Sequence, residues 1–498
     1  MKRLLFAGLV LVLAIAAPAT AQRRAAPEPP PASLTAIADQ VSEQRLRADI
    51  ERLVGFGTRH TLSSQDHPTR GIGASLRWTR AEFERIGREC GNCLTFAEPE
   101  EMVTAPPRVP TPTRIRNVIA IQRGTTDPNR VIIITGHIDS RVTDVMDATS
   151  DAPGANDDGS GTVAVIEAAR VLSKHRFPAT IVYAALSGEE QGLHGGRILT
   201  NYAKAQGWQV EANLNNDIIG NSCGSDGVCD AANVRVFSEG LRWQGGTDIR
   251  GQVRSLGGEN DSPGRNLSRF LATLAGNLGL GLEVRQIWRN DRFGRGGDHT
   301  EFLNAGFPAI RFSVAVEDYD HQHQDLRTEN GTVYGDTIDE MDFAYLRKVT
   351  ALNVAALAAL ARAPMPPEPR VEGALSTDTK LQWRSVEGAN HYVVRWRRTD
   401  SNQWEHIVRI TGRRFTGPPA RTEDGQGTQV CETFTTSSDG QRGGGCYWEV
   451  TLPGIRVDDW VFGVSSVAAD GSESPVASAV PGGAFRPWTP PPPAPARQ

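Results

Sequence analysis

Apolar residues between about 34 and 363 occur in short runs of strand length that alternate with longer, helix-like stretches. Runs such as VIIIT (131–135) are typical of buried strands, and the Ala- and Leu-rich stretch 342–361 is typical of a packed helix. Residues 221–262 are glycine-rich and predicted to be mostly loop. The pattern predicts an α/β fold with a sheet sandwiched by helices. It places strands at 115–121, 131–135, 180–186, 209–219, 234–237, 283–287 and 308–314, and helices at 161–174, 193–206, 265–278 and 342–361.

A second, all-β region follows the proline-rich segment 364–369, which we interpret as a linker. LQWRSV (381–386), HYVVRWRR (391–398) and the segment 460–475 have the period of strands in a small sandwich. Across 370–483 this pattern resembles a fibronectin type III module. The proline-rich tail 484–498 is expected to be extended or disordered.

The N-terminus has the features of a secretory signal peptide. Lys2 and Arg3 precede an apolar run over 4–17, and small residues suited to cleavage end at Ala21. We therefore expect a signal peptide over 1–21, a proline-rich leader over 22–33, and a periplasmic or secreted mature chain. The apolar run is short for a bilayer span, and no later stretch is predicted to cross a membrane.

Composition and cysteine spacing indicate which partners and which cysteine chemistry to expect. Lys and Arg total 53 against 58 Asp and Glu, so the formal net charge of −5 gives no basic excess for a nucleic-acid partner. Six cysteines in an oxidising compartment favour disulfides between near neighbours. The alternative for the CGNC segment is a redox motif or half of a zinc site. The predicted pairs are Cys90 with Cys93, Cys223 with Cys229, and Cys431 with Cys446.

Five short polar segments carry the candidate chemistry. GHIDS (136–140) and SGEEQGL (187–193) follow strands, LNNDIIGN (214–221) ends another, and PGANDDGSG (153–161) and EDYDHQHQD (317–325) are loops. Each alone has a plain explanation as a turn, a helix cap or a solvated loop. Together they bring several carboxylates to one sheet edge, where unpaired charges are costly. Histidine and carboxylate ligands with one shared carboxylate indicate two zinc ions.

These segments, with GGDHTEFLNAGFPAIRF (296–312), resemble the ordered motifs of the secreted bacterial co-catalytic zinc aminopeptidase family. The resemblance covers about 110–330 and implies a mixed, mostly parallel sheet and two Zn²⁺ per chain. It implies that His137 and Asp217 hold one zinc, that Glu190 and His321 hold the other, and that Asp157 bridges both. Asp158, the neighbour of Asp157, is interpreted as a turn or helix-cap residue.

The same resemblance assigns further roles. Glu189 corresponds to the general base, and Asp139 is placed to orient the His137 imidazole. Asp298 and His299 are given a supporting role. Tyr319 stands one residue away from the position of the family's oxyanion-stabilising tyrosine. The family's spacing to Asp325 selects His321 as the ligand and leaves His323 to contact substrate or a ligand carboxylate.

The predicted function is a zinc-dependent exopeptidase, with an aminopeptidase favoured. A carboxypeptidase or a glutaminyl-cyclase-like enzyme of the same family is the nearest alternative, and a non-catalytic extracellular binding protein is the alternative of another class. The GNSCG segment (220–224) matches a serine-hydrolase elbow, but no helix is predicted directly after it. A peptide is the expected partner, and the sequence leaves the oligomeric state and the preferred terminal residue open.

Overall fold

A computed structural model describes residues 33–242, 249–410, 414–415, 428–435 and 442–486, with side chains omitted between 411 and 446. The predicted signal peptide and almost all of the leader and tail therefore lie outside the described residues. The helices are α1 (Leu34–Ala38), α2 (Glu43–Val54), α3 (Ile72–Glu89), α4 (Gly159–Leu172), α5 (His194–Ala205), α6 (Arg250–Leu256), α7 (Pro263–Leu278), α8 (His299–Asn304) and α9 (Phe343–Arg362).

Strands of the α/β region are β1 (Leu94–Ala97), β2 (Glu100–Ala105), β3 (Val109–Arg116), β4 (Val118–Gln122), β5 (Asp127–His137), β6 (Ala179–Leu186), β7 (Gln209–Asn216), β8 (Asn233–Phe237), β9 (Glu283–Ile287), β10 (Ala309–Val314), β11 (Arg327–Glu329) and β12 (Thr332–Tyr334). The C-terminal strands are β13 (Arg370–Glu372), β14 (Thr379–Arg384), β15 (His391–Arg398), β16 (His406–Ile410), β17 (Arg414–Phe415), β18 (Thr428–Thr435), β19 (Arg442–Leu452), β20 (Trp460–Val467) and β21 (Ala477–Ser478).

The main sheet has eight strands in the order β1-β4-β6-β5-β7-β10-β8-β9. Its centre is parallel, because β5 pairs in parallel with β6 and β7, and β7 pairs in parallel with β10. Antiparallel pairs occur where β4 meets β6 and where β10 meets β8. The predicted mixed, mostly parallel α/β sheet is confirmed. The carboxyl ends of four central parallel strands consequently meet at one edge.

Two helices form much of the core beside this sheet. Every residue of α4 except Arg170 is buried, and α9 packs against α1, α2, α4 and α7. Among the described helices, α9 alone is long and apolar enough to cross a bilayer, but 83% of its apolar window is buried inside the protein. Burial of that kind is also found in the core helices of folded domains.

The apolar pattern located most central elements but missed the N-terminal ones. Helices α2 and α3 and the β2–β3 hairpin were not predicted, and α6 lies within the predicted loop 221–262. The single strand predicted over 115–121 is two strands, β3 and β4, separated at Asn117. The Asn117 amide N–H donates to the Pro99 carbonyl, and its side chain donates to Gly195, so this residue leaves the ladder.

The C-terminal region contains two small sheets, β13-β14-β19-β18-β17 and β16-β15-β20-β21, which share an apolar core. The likeness to fibronectin type III stays a prediction. The segment 364–369 is mostly buried, and the Pro364 and Met365 carbonyls accept hydrogen bonds from the Ser466 hydroxyl. The described residues from Leu34 onward form one compact unit. The predicted linker is thus packed between the two regions.

Two of the three predicted disulfides are confirmed. Cys90 is bonded to Cys93, and Cys223 is bonded to Cys229. The second bond closes a loop over 223–229 that begins within the GNSCG segment, and the Ser222 hydroxyl just before it donates to Asp342. The third pair, Cys431 and Cys446, lies outside the described side chains, although the β18–β19 register places the two residues opposite each other.

Candidate functional site

The first group of candidate ligands lies at the carboxyl ends of β5 and β7. His137 ends β5, and its Nε2 is 3.2 Å from Asp157 Oδ1 and 3.9 Å from Asp217 Oδ1. Asp217 directly follows β7. All three residues are buried, and one ligand atom from each lies within 4.8 Å of the others. The structure therefore brings these three predicted residues together.

The second group shares Asp157 with the first. His323 Nε2 is 2.9 Å from Asp157 Oδ2 and 3.0 Å from Glu190 Oε1. Asp157 thus points one carboxylate oxygen at each group, as the predicted bridging residue requires. Although burial alone would lower it, Glu190 and Asp157 raise the pKa of the His323 imidazole to about 10. A metal at this position would have to displace a proton.

The prediction that His321 joins Glu190 is wrong. Its Nε2 is 3.0 Å from Glu340 and 3.6 Å from Asp318, and its Nδ1 donates to the Gly335 carbonyl. The family's spacing to Asp325 selects His321, but this spacing does not determine how the loop turns. The loop turns at His323, which has a left-handed backbone with φ of 57°. The two imidazoles therefore enter different groups, and His323 occupies the place predicted for His321.

Asp158 caps α4, as predicted, because its side chain accepts a hydrogen bond from the Gly161 N–H. The same buried carboxylate also accepts from the backbone N–H groups of His137 and Ile218. Asp158 therefore ties the residue His137 and the chain just after Asp217 to the start of α4. Asp158 thus positions the residues of the first group and is not itself one of the candidate ligands.

Asp139 acts mainly on the loop that carries the two glutamates. Its carboxylate accepts from the N–H groups of Gly188, Glu189 and Glu190 at 3.0, 3.3 and 3.1 Å. The carboxylate lies 3.6 Å from His137 Nδ1, too far for a hydrogen bond, and it is the Asp139 backbone carbonyl that accepts from this nitrogen at 3.1 Å. The predicted orientation of the imidazole is achieved by the main chain.

Glu189 lines a cavity of about 260 Å³ that also exposes His137, Asp157, Asp217 and His323. Burial, together with the neighbouring carboxylates of Glu190 and Asp217, raises the pKa of the Glu189 carboxyl well above its usual range. A carboxylate placed beside two candidate metal groups, without belonging to either, has the position expected of a proton-transferring group.

Other predicted residues lie behind or outside this cavity. Asp298 is buried and accepts from the Gly196 N–H, and burial raises its pKa to about 7. His299 is buried at the start of α8, where burial lowers its pKa to about 4. Tyr319 is 59% exposed and does not line the cavity, so its side chain does not take the predicted oxyanion position.

Two buried arginines were missed by sequence reasoning. Arg59 donates to the carbonyls of Ile138, Pro153 and Gly154, which fastens the PGANDDGSG loop to the end of β5. Arg311, in β10, is 2.9 Å from Asp217 Oδ1 and 2.9 Å from Asp291. Nothing in the local sequence marks either residue, since each contacts partners 20 to 95 residues away.

The donor set fits two zinc ions. Each group offers one imidazole nitrogen and two carboxylate oxygens, which are ligands that zinc accepts. His137 Nδ1 is held by a carbonyl acceptor, which leaves Nε2 directed at the two aspartates. Buried carboxylates gathered this closely are costly without a cation.

Residues 117–357 match the model of Peptidase family M28. A probable zinc metalloprotease of Leptosphaeria maculans is 42% identical over 458 residues, covering 91% of this chain and 98% of that protein. One of Pyrenophora tritici-repentis is 40% identical over 464 residues, covering 92% and 88%. These relatives are fungal, whereas the sequence resemblance had pointed to bacterial proteins.

Solved structures with lower similarity include the LapA aminopeptidase of Legionella pneumophila, at 19% identity and a TM-score of 0.46, covering 66% of this chain and 74% of that one. A glutaminyl cyclase of Porphyromonas gingivalis has 19% identity and a TM-score of 0.44, covering 64% of this chain and 98% of that one.

Proposed function

The chain belongs to peptidase family M28, a family of zinc metallopeptidases, and on this premise we propose that it is a two-zinc exopeptidase. The observation that carries the proposal is the sharing of Asp157, whose two carboxylate oxygens face two separate histidine–carboxylate groups. We assign His137 and Asp217 to one zinc, Glu190 and His323 to the other, and Asp157 to both.

Two bound zinc ions would supply Lewis acidity towards the scissile carbonyl and acidify a shared water. The protein supplies the proton transfer. Glu189, held by the Asp139 carboxylate through its backbone N–H, takes a proton from the attacking water and passes it to the leaving amine. The peptide C–N bond breaks, the carbonyl carbon keeps the water oxygen, and the amine leaves neutral. A general base of this kind contributes about 10²–10⁴-fold in rate.

The size of the cavity supports removal of terminal residues. At about 260 Å³ it lies just below the range of ordinary small-molecule pockets, so it has room for an end of a peptide rather than a long internal segment. Both histidine–carboxylate groups are intact, which favours a two-metal hydrolase over a one-metal cyclase or a non-catalytic binding protein. The sequence favoured an aminopeptidase, and such an enzyme needs an acidic partner for the substrate ammonium group.

The test is substitution of Glu189 by Gln. We expect Glu189→Gln to bind two zinc ions per chain while kcat for peptide hydrolysis falls by at least about 10²-fold. The matched variant is Glu190→Gln, which should lose zinc because it removes a proposed ligand. Full turnover by Glu189→Gln would remove this residue from the mechanism, and loss of zinc from it would make Glu189 a ligand.

A further inference from the structure

Besides the proposed ligands, the cavity is lined by arginines, whose positive charge is opposite to that of the ligand carboxylates. Apart from the proposed ligands and Glu189, the charged residues that line the cavity are Arg108, Arg141, Arg292 and Arg295. The residues come from three parts of the chain: the β2–β3 hairpin, the loop after β5, and the segment between β9 and α8. Four guanidinium groups and four carboxylates line the same small cavity, so the charge offered to a ligand depends on which arginines lack a full set of acidic partners.

Acidic neighbours pair with three of these arginines: Arg141 Nε is 2.9 Å from Glu190 Oε2, Arg292 Nε is 3.1 Å from Asp291 Oδ1, and Arg295 contacts Glu317. Glu317 is the carboxylate shared by Arg235, Arg292 and Arg295, at 2.6, 3.4 and 3.1 Å. Glu317 is thus shared by three guanidinium groups, and among the described residues it is the one carboxylate paired with Arg295. The Arg295 side chain is 33% exposed, and its Nη2 makes no hydrogen bond to the described part of the chain. Arg295 consequently has donors available to a molecule in the cavity.

In the described part of the chain, the cavity has no spare carboxylate to pair with a substrate ammonium group. A charged ammonium would have to share a carboxylate that already has another proposed role. Asp157, Glu190 and Asp217 are proposed to hold metal, and Glu189 is proposed to transfer the proton. Within the described residues, no other carboxylate lines the cavity. A guanidinium group beside the reacting carbonyl would repel an ammonium group and attract a carboxylate.

We infer that the substrate presents a carboxylate next to the scissile bond, and that Arg295 binds it with support from Arg292 and Arg108. This inference rests on the proposed peptidase function. A planar guanidinium matches a carboxylate in charge and in hydrogen-bond geometry. The carboxylate is either the terminal α-carboxylate of a peptide or the side chain of an acidic residue. In the first case the enzyme trims the carboxyl end.

Three acetylated dipeptides and one anilide separate these cases. Acetyl-Ala-Ala with a free carboxylate, its C-terminal amide, and acetyl-Ala-Glu-amide are compared with Leu-anilide, which has a free amine and no carboxylate. We expect kcat/KM to be about 10- to 100-fold higher for a carboxylate-bearing dipeptide than for the neutral amide, as one lost charged hydrogen bond would give. The free-carboxylate dipeptide reports the α-carboxylate, and the Glu amide reports the side chain.

Arg295 variants connect the preference to this residue. Arg295→Gln should raise KM for the preferred carboxylate substrate by about tenfold or more, with a clearly smaller effect on the neutral amide, and Arg295→Lys should recover part of the loss. The matched control is Arg289→Gln, since Arg289 lies on the same segment but stacks on Phe293 and does not line the cavity. It should behave as the unaltered enzyme.

Two failures are distinguishable. Hydrolysis of Leu-anilide at the highest kcat/KM, unchanged in Arg295→Gln, would overturn the carboxylate inference and leave the peptidase standing. If the zinc-loaded protein hydrolysed none of these substrates, the proposed function itself would be overturned.

Discussion

The contact between the peptidase region and the C-terminal sheets includes a buried ion pair. Arg397 Nη2, in β15, is 2.8 Å from both carboxylate oxygens of Asp261, and the two side chains are 2% and 3% exposed. The Ser478 hydroxyl also donates to Asp261, and Arg269 of α7 lies 3.7 Å away. Replacing Arg397 by Ala would therefore leave a buried carboxylate with weaker partners.

Removal of one partner from a buried pair costs about 3–5 kcal/mol. We expect Arg397→Ala to lower the free energy of unfolding by about 3 kcal/mol, the lower end of this range, because Ser478 and Arg269 still contact Asp261. Equilibrium unfolding in urea measures the loss. The double variant Asp261→Asn with Arg397→Ala should lose less than the sum of its two single variants, because no buried charge of the pair is left unpaired.

Arg398 provides the matched control. It is the next residue of the same strand, and its pair with Asp400 is 58% and 75% exposed. An exposed pair contributes about 0–1 kcal/mol, so Arg398→Ala should change stability little. If Arg397→Ala and Arg398→Ala were equally stable within about 0.5 kcal/mol, the buried pair would not hold the two regions together.

Two further outcomes follow, one from the contact between the two regions and one from the candidate site. A chain ending at Ala363 should unfold at a lower urea concentration than the full chain, because it exposes Asp261 and Arg269 of the peptidase region. An unchanged midpoint of unfolding would show that the C-terminal sheets are dispensable for stability. Asp139→Ala should weaken zinc binding by about 10- to 100-fold in a chelator competition, because the loop carrying Glu189 and Glu190 loses its acceptor, whereas equal affinity would show that the loop holds its shape without it.

The sequence predicted the central sheet because buried parallel strands are continuously apolar, as in VIIIT at 131–135. It missed α2 and α3 although the signal was present: 43–54 and 72–89 are amphipathic, with apolar residues at helical spacing on one buried face and arginines and glutamates on the other. The ends of β5 and β7 were enough to locate His137 and Asp217, since the carboxyl ends of neighbouring parallel strands meet at one edge.

The choice between His321 and His323 could not be predicted in the same way. It depends on the backbone of one turn, where His323 adopts a left-handed conformation, and no apolar periodicity constrains that loop. The contacts of Arg59, Arg311 and Arg397 depend on residues distant along the chain, so local sequence carried no signal for them. The apolar pattern located the strands that carry the site, whereas tertiary packing determines which side chains enter it.

The central claim is that Asp157 bridges two zinc ions and that His323, rather than His321, is the imidazole of the second group. Zinc counted by elemental analysis after dialysis tests it in three proteins: the unaltered chain, His323→Ala and His321→Ala. We predict two zinc ions in the unaltered chain, about one in His323→Ala with peptide hydrolysis nearly lost, and two in His321→Ala. A His321→Ala chain that loses a zinc while His323→Ala retains both would contradict the account.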